Sequence, residues 1–208
     1  MQDYSLYLVT DDKQDLNTLC RVVEQAIQGG VSIVQVREKH GDIRAFLERA
    51  LTVKALLDGT GIPLIINDRV DVAIAIDADG VHLGQSDMPV DVARKLLGVN
   101  KIIGLSIEDP QQLLDAQTLP IDYIGLSAIY PTPTKTDTQR YWGLNGLRWA
   151  RERFDKPIIA IGGLNTENIP ATLEAGADGV AVVSAICHVD DVLASTQQLR
   201  QLVQYNLL

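Results

Sequence analysis

Short apolar runs rich in β-branched residues alternate with longer amphipathic segments along the whole chain. This alternation is typical of repeated β-α units built around a parallel sheet. Eight runs predict strands, at residues 6–9, 33–37, 64–67, 80–83, 102–106, 123–126, 158–161 and 179–183. The amphipathic segments between them predict helices that include residues 15–28, 42–57, 90–97, 144–154, 166–175 and 191–203.

The even-numbered strands share a weak sequence repeat at the point where each one begins. The four stretches are Gly29-Gly-Val-Ser-Ile, Asp77-Ala-Asp-Gly-Val, Pro120-Ile-Asp-Tyr-Ile and Gly176-Ala-Asp-Gly-Val. A glycine there would end a helix in the left-handed conformation, and an acidic or small residue would start the turn into the strand. Eight units of about 25 residues predict one α/β domain over residues 1–208, a closed (β/α)8 TIM barrel. An open doubly wound sheet is disfavoured, because no Gly-x-Gly-x-x-Gly or Gly-x-x-x-x-Gly-Lys loop follows a strand.

Composition and charge limit the partners of the chain. A formal net charge of −9 argues against nucleic acid or an anionic membrane, since both would need a broad cationic surface. The apolar runs are too short to span a bilayer, and the N-terminal residues lack the pattern of a secretory signal, so we expect a cytoplasmic protein. The two cysteines, Cys20 and Cys187, predict neither a disulfide framework nor a metal site. A homo-oligomer stays open.

The second predicted strand carries polar residues on one face. Gln35, Arg37 and Lys39 alternate with apolar residues, so they should point together into the barrel and toward its mouth. Two buried positive charges without a partner would cost several kcal/mol, so we expect an anion such as a phosphate to bind there. The alternative is a salt-bridged layer inside the barrel. Glu38, on the opposite face, should pair with a helix residue.

Two aspartates follow the third and fourth predicted strands. Asp68 lies directly beyond one strand and Asp87 just past the end of the next. Because neighbouring strands lie about 5 Å apart, the two carboxylates could flank one ion. Hard oxygen ligands without clustered cysteine or histidine favour Mg²⁺, which takes its remaining ligands from water and substrate phosphates. The alternative is structural: Asp68 would cap a helix beginning near Asp71, and Asp87 would cap one after Met88-Pro89.

The last two predicted strands lead into a second candidate anion site. Strand seven runs into Ile161-Gly-Gly-Leu-Asn165 and strand eight into Val183-Ser184, each before a helix. Loops at these two positions form the usual phosphate site of such barrels, with backbone N–H groups as donors. A tight turn alone would explain the two glycines equally well.

Three other features lie at the ends of the middle strands. The connection over residues 127–143 is unusually long, so we expect it to act as a lid and to bring Lys135 to an anionic substrate as a mobile cation. Ser106 closes the fifth strand, where it could hydrogen-bond a substrate ring or satisfy the backbone. His82 is expected to fill a polar position in a barrel layer rather than to act as a general base.

Seven motifs follow one another at the strand ends: Gln35-Val-Arg-Glu-Lys39, Asn67-Asp-Arg, Gly84-Gln-Ser-Asp87, Gly104-Leu-Ser106, Tyr130-Pro-Thr-Pro-Thr-Lys135, Ile161-Gly-Gly and Val182-Val-Ser184. In this order they closely resemble the thiamine-phosphate synthase family, and the resemblance covers essentially the whole chain. It implies a Mg²⁺-dependent transferase of thiamine biosynthesis. Such an enzyme joins hydroxymethylpyrimidine diphosphate to hydroxyethylthiazole phosphate and releases thiamine monophosphate and diphosphate.

The resemblance also implies roles for the matching residues. The pyrimidine diphosphate would be held by Gln35, Arg37, Lys39, Asn67, Ser106 and Lys135. The thiazole phosphate would be held by Thr132, Thr134, Gly163, Val183 and Ser184. Asp68 and Asp87 would bind Mg²⁺, and Lys135, Arg37 and Lys39 would assist departure of the diphosphate. The chain departs from a common form of the family at Ser127, where a glycine often stands.

The implied chemistry needs no strong general base, which fits a chain poor in histidine. Diphosphate would leave first, and the aminopyrimidine would stabilise a methylene cation that the thiazole nitrogen then captures. Three rivals remain. A thiazole tautomerase-like paralogue need not keep the full set of diphosphate and metal residues. A sugar-phosphate epimerase or isomerase would need a placed acid and base, and a non-catalytic thiazole-phosphate-binding regulator would not need the two aspartates.

Overall fold

Eight parallel strands close into a barrel in the computed structural model, which describes residues 2–39, 41–132 and 141–207. The strands are β1 (Leu6–Val9), β2 (Ile33–Val36), β3 (Leu64–Asn67), β4 (Gly80–Leu83), β5 (Ile102–Ile107), β6 (Tyr123–Ser127), β7 (Ile158–Ile161) and β8 (Gly179–Val182). Each strand pairs with its neighbours in chain order, and β8 closes the ring on β1 with Val182 beside Leu8. The predicted (β/α)8 barrel is therefore confirmed.

Helices follow the strands around the outside of the barrel. Those in the described residues are α1 (Leu16–Gly29), α2 (Ile43–Leu57), α3 (Val70–Ala75), α4 (Val90–Leu97), α5 (Pro110–Ala116), α6 (Gly143–Arg151), α7 (Ile169–Glu174), α8 (Ser184–Cys187) and α9 (Val192–Leu207). α7 begins later than its pattern predicts, because the Asn165 side chain accepts the N–H groups of Glu167 and Asn168 and holds a turn there. No helix among the described residues is long and apolar enough to cross a membrane.

The sequence repeat before the even-numbered strands corresponds to four equivalent hydrogen bonds, one at each repeat. A side-chain oxygen just before each even strand accepts a backbone N–H at the beginning of the preceding odd strand, at distances between 2.7 and 3.0 Å. The pairs are Ser32 with Leu6, Asp79 with Leu64, Asp122 with Ile103 and Asp178 with Ile158. Because a buried N–H needs an acceptor, these side chains complete the N-terminal end of the barrel.

The barrel wall divides the core into an outer and an inner part. Side chains that point outward, such as Val34 and Val36, pack against the helices in the larger cluster. Side chains that point inward form a smaller cluster, which includes Tyr7, Ile65 and Tyr123. Strand side chains alternate between the two faces, so every second residue near a strand end is directed into the barrel mouth.

Candidate active site

A cavity of about 460 Å³ opens at the C-terminal ends of the strands. Its volume lies in the range expected for a small-molecule site. Most of the residues predicted from the sequence line it, and they come from strands all around the ring. They are Gln35, Arg37, Lys39, Asn67, Asp68, Asp87, Ser106, Thr132, Gly163, Val183 and Ser184.

The alternation of β2 directs its polar residues into the cavity as predicted. Gln35 is buried inside the barrel, whereas its strand neighbours Val34 and Val36 pack outward. Glu38 faces away from the cavity and accepts a hydrogen bond from Arg49 Nε of α2 at 2.6 Å. The predicted pairing of Glu38 with a helix residue is therefore confirmed.

The two cations of this segment have different surroundings. Lys39 Nζ lies 2.5 Å from Asp68 Oδ2 at the barrel mouth, where 43% of the lysine side chain is exposed. Arg37 also lines the cavity but forms no salt bridge with any residue that the structure describes. These contacts do not form a closed salt-bridged layer inside the barrel, so the alternative interpretation does not hold for the described residues. Arg37 instead presents a charge that suits an anionic ligand.

The two predicted metal ligands lie together, and neither caps a helix through its side chain. α3 and α4 begin after Arg69 and Pro89, so the capping interpretation of Asp68 and Asp87 is wrong. Asp87 Oδ2 accepts the Gly84 N–H at 2.6 Å and faces Asp68. Burial raises the pKa of Asp87, and the neighbouring Asp68 carboxyl raises it further. The pair thus concentrates negative charge at one point of the mouth.

Asp68 owes its direction to an uncommon backbone conformation. Its φ of 60° lies in the left-handed region, which aspartate tolerates better than most residues. The Asp68 N–H donates to the carbonyl oxygen of His82 on β4 at 2.8 Å, so the chain turns directly after β3. This turn brings Asp68 beside the loop that follows β4 and carries Asp87.

Asn67 is a buried polar residue with an unused donor. Only 6% of the residue is exposed, and its Nδ2 has no hydrogen-bond partner among the described residues. Buried side-chain donors are normally satisfied. An acceptor supplied by a bound ligand would complete this amide, which agrees with its place on the cavity wall.

The opposite wall of the cavity is formed by the turns after β7 and β8. Gly162 and Gly163 have φ values of 100° and 68°, which favour glycine. A side chain at Gly163 would also collide with the Pro131 carbonyl oxygen, which would lie 2.5 Å from its first carbon. Tight turning therefore explains the glycines, and it also leaves backbone exposed to the cavity. α8 begins at Ser184, where the first N–H groups of a helix lack intrahelical acceptors.

The base of the long connection after β6 is held by the barrel. The Tyr130 N–H donates to the Gly162 carbonyl at 3.1 Å, and the Trp142 N–H donates to the Ala128 carbonyl at 2.9 Å. These bonds tie the two ends of the connection to each other and to the turn after β7. Two predicted substrate contacts of this connection, Thr134 and Lys135, lie outside the described residues.

A line of hydrogen bonds inside the barrel was not foreseen from the sequence. Gln35 Nε2 donates to the Tyr7 hydroxyl at 2.8 Å, and the hydroxyls of Tyr7 and Tyr123 are 2.8 Å apart. Tyr123 lies 2.9 Å from His82 Nδ1, and His82 Nε2 lies 2.9 Å from Ser106 Oγ. We call these five residues the interior chain. His82 thus occupies a polar position in a barrel layer, as expected, but within a connected set.

The signal for the interior chain was present in the sequence as strand glycines. Gly104 and Gly125 stand at inward positions of β5 and β6. A methyl group at Gly104 would approach His82 Nδ1 to 2.6 Å, and one at Gly125 would approach His82 Cε1 to 3.0 Å. Glycine inside a strand often marks such a close approach. The sequence pattern alone did not say which side chains needed the space.

Comparison with known proteins agrees with this geometry. A family model described as thiamine monophosphate synthase matches residues 6–186. The chain is 62% identical to a thiamine-phosphate synthase of Vibrio campbellii and 61% identical to one of Vibrio parahaemolyticus, each over 98% of this chain and 100% of the relative. Among solved structures, a thiamine phosphate pyrophosphorylase of Pyrococcus furiosus is 36% identical, with a TM-score of 0.88 over 99% of this chain and 98% of the other.

Proposed function

The chain belongs to the thiamine monophosphate synthase family, and we propose that it joins hydroxymethylpyrimidine diphosphate to hydroxyethylthiazole phosphate. The products are thiamine monophosphate and diphosphate, so the enzyme is a transferase of alkyl or aryl groups. One observation carries the proposal. A charged wall on β2 to β4 and a glycine turn after β7 face the same cavity, which supports separate binding of a diphosphate and a monophosphate.

The diphosphate would bind at the charged wall. Arg37 offers a planar set of donors without a competing carboxylate among the described residues, and Asn67 offers a buried amide donor. Lys39 is already paired with Asp68, so it would share its ammonium between that carboxylate and the substrate. Gln35 and Ser106 lie deeper and would contact the pyrimidine ring.

The donor set at this wall fits Mg²⁺. Asp68 and Asp87 offer only oxygen ligands, and their crowding, with the raised pKa of Asp87, would be relieved by a divalent cation. Two carboxylates suffice, because Mg²⁺ usually takes one or two from the protein and the rest from phosphates and water. When bound, Mg²⁺ would neutralise charge on the diphosphate and make it a better leaving group.

The thiazole phosphate would bind on the opposite side. Gly163, Val183 and Ser184 line that wall, where the first backbone N–H groups of α8, before Ile186, lack an intrahelical acceptor. Thr132 lies at the near end of the long connection and also lines the cavity. We propose Thr134 as a further contact from the sequence.

The reaction would proceed by loss of diphosphate and capture of the pyrimidine methylene cation by the thiazole nitrogen. Arg37 and Lys39 would stabilise the charge that develops on the leaving group, and Lys135 would reach it from the long connection. The walls would hold the thiazole nitrogen in line and exclude water from the cation. No residue is required to remove a proton in the bond-forming step.

Two rivals are weaker on the same observations. A thiazole tautomerase-like paralogue or a non-catalytic regulator would need only the thiazole phosphate wall. The pair Asp68 and Asp87, beside Arg37 and Lys39, would then have no ligand. We further propose that residues 1–208 act as one catalytic domain in the cytoplasm, on small phosphorylated substrates rather than on nucleic acid or membranes.

One assay tests the function. Purified protein is mixed with both substrates and Mg²⁺, and thiamine monophosphate and diphosphate are measured together. We expect equal amounts of the two products and loss of both in excess chelator. No product with Mg²⁺ present would overturn the proposed function, and full activity in chelator would overturn the metal site.

A further inference from the structure

The direction of the interior chain follows from the number of hydrogens it contains. Tyr7 accepts a hydrogen bond from Gln35 Nε2, so its own hydroxyl hydrogen goes to Tyr123. Both phenols are fully buried, and burial raises the pKa of each above its usual value, so both keep their hydrogens. Tyr123 accepts from Tyr7 and therefore donates to His82 Nδ1. The hydrogen of a neutral His82 is then on Nε2.

The opposite direction would leave a buried hydrogen unsatisfied. If His82 donated from Nδ1, Tyr123 would donate to Tyr7, which already accepts from Gln35. The Tyr7 hydrogen would then have no acceptor among the contacts of the described residues. A doubly protonated His82 would meet the same difficulty. A buried donor without a partner costs more than an ordinary hydrogen bond contributes, so the Nε2–H form is favoured.

The far end of the interior chain reaches the substrate cavity. His82 Nε2 lies 2.9 Å from Ser106 Oγ, and in this direction the serine oxygen is the acceptor. The Ser106 hydroxyl hydrogen is therefore not used within the interior chain. Ser106 lines the cavity, so its hydroxyl can serve a ligand as a hydrogen-bond donor.

The barrel wall holds the histidine in place for this contact. The rings of His82 and Tyr123 lie 5.5 Å apart, and Gly104 and Gly125 leave just enough space for them. A methyl group at Gly125 would press on the His82 ring at 3.0 Å. The ring position is thus set by packing, and its tautomer by the hydrogen bond with Tyr123.

We propose that Tyr123, whose hydrogen is directed toward His82 by Gln35 and Tyr7, is a positioning residue that holds His82 in the Nε2–H tautomer, and that Ser106 thereby donates a hydrogen bond to a ring nitrogen of the pyrimidine substrate. The identity of the ring rests on the proposed function. An aminopyrimidine offers bare ring nitrogens as acceptors. In the oxo analogue one ring nitrogen carries a hydrogen, which would oppose the serine donor, so the interior chain also discriminates between the two rings.

Nitrogen-15 NMR of the histidine rings tests the direction without any substrate. The sequence has three histidines, so His40→Gln and His188→Gln identify the signals of His82. We expect wild-type His82 to carry its hydrogen on Nε2, and Tyr123→Phe to give a mixture of both tautomers. The matched control is Tyr4→Phe, because the Tyr4 ring lies 5.0 Å from that of Tyr123 but takes no part in the interior chain. It should leave the His82 signals unchanged.

Kinetics test the consequence for the substrate. Tyr123→Phe should lower kcat/KM for the pyrimidine diphosphate by about three- to tenfold, the effect of one lost or misdirected hydrogen bond. Tyr7→Phe should lower it less, because Tyr123 then still donates to His82 Nδ1. The KM for the thiazole phosphate should not change. Inhibition by the oxo analogue should become stronger in Tyr123→Phe than in the wild type, because the serine hydroxyl is then able to accept as well as donate. If Tyr123 had a purely structural role, the strength of inhibition by the oxo analogue relative to binding of the pyrimidine substrate would be the same in Tyr123→Phe as in the wild type.

Two results would overturn the proposal: a wild-type His82 with its hydrogen on Nδ1, or a Tyr123→Phe protein with the wild-type tautomer and rate. If Tyr123→Phe does not fold, the tautomer of His82 in the wild-type protein decides the question. An Nδ1–H tautomer in a protein that makes thiamine monophosphate would overturn this inference alone. An Nε2–H tautomer in a protein that makes none would overturn the proposed function and, with it, the assignment of the ring.

Discussion

Replacing Asp87 by asparagine would separate the proposed metal binding of this residue from its effect on folding. The two side chains have the same shape, and the new amide oxygen can still accept the Gly84 N–H, which Asp87 Oδ2 accepts at 2.6 Å. The change removes one negative charge beside Asp68. Because burial and Asp68 raise the pKa of Asp87, its ionised form is disfavoured in the folded protein. Ionisation of Asp87 therefore lowers stability as the pH rises through its pKa in the folded protein, and asparagine removes that loss.

The two effects of Asp87→Asn differ in size. Solvent at the open mouth screens the repulsion between the carboxylates, so the gain in unfolding free energy should stay below about 1 kcal/mol. A bound metal ion stabilises the charge on a departing diphosphate by several kcal/mol, and a charged ligand such as Asp87 would help to hold that ion. Its loss should lower kcat/KM by about 100-fold or more. The variant is thus expected to be at least as stable as the wild type and nearly inactive.

The assay follows thiamine monophosphate and diphosphate over a range of Mg²⁺ concentrations, with urea unfolding for stability. Part of the activity of Asp87→Asn should return at high Mg²⁺, because Asp68, the other proposed ligand, would bind the ion more weakly alone. Asp71→Asn is the control, since Asp71 pairs with Arg69 at the surface beside the same strand end. It should change kcat/KM little. A loss of more than about 2 kcal/mol of stability with turnover retained in Asp87→Asn would refute the metal role.

Three further variants test other parts of the structure. Asn67→Ala should raise the KM for the pyrimidine diphosphate without lowering stability, because its Nδ2 has no protein partner among the described residues; steady-state kinetics and urea unfolding measure both. Asp79→Ala should lower the free energy of unfolding by about 1 kcal/mol and leave kcat unchanged, because the Leu64 N–H loses its acceptor. Asp11→Asn should flatten the acid side of the stability profile. Burial raises the pKa of Asp11, but the hydrogen bond with His188 and the neighbouring groups lower it below 3.8 overall. The contribution of ionised Asp11 to the free energy of unfolding is therefore lost as the pH falls through that lowered pKa.

Each of these has an outcome that contradicts it. An Asn67→Ala protein with unchanged KM would remove the amide from the diphosphate site. An Asp79→Ala protein as stable as the wild type would show that water replaces the carboxylate at Leu64. An acid transition that keeps its midpoint and slope in Asp11→Asn would assign the acid sensitivity of the fold to other carboxylates.

The alternation of residue types along the strands was sufficient to predict the barrel and the face of β2 that points into it, because a strand with one apolar face has one register that buries this face. It could not distinguish a metal ligand from a helix cap at Asp68 or Asp87. Both roles place an aspartate just past a strand, and the difference lies in where α3 and α4 begin. Helix starts depend on local turns such as the left-handed Asp68, which the pattern does not encode.

The interior chain escaped prediction for a different reason. Tyr7 and Tyr123 are far apart in sequence and read as ordinary apolar strand residues, and only closure of the ring brings their hydroxyls within 2.8 Å. Long-range polar contacts of this kind leave no periodic signal. What the sequence did carry was their spatial requirement, in the glycines of β5 and β6.

The order of the strands explains how one cavity can hold two anions. In a ring of eight strands, β3 and β7 lie diametrically opposite each other. The charged wall is centred on β3, and the glycine turn follows β7, so the two phosphate groups would be separated by the width of the barrel. Their mutual repulsion would then be weakest, and the uncharged rings of the two substrates would meet between them. Ser106 lies next to the last residue of β5, and β5 is midway around the ring from β3 to β7. One hydroxyl at this position would set the orientation of a substrate ring between the two proposed anion sites.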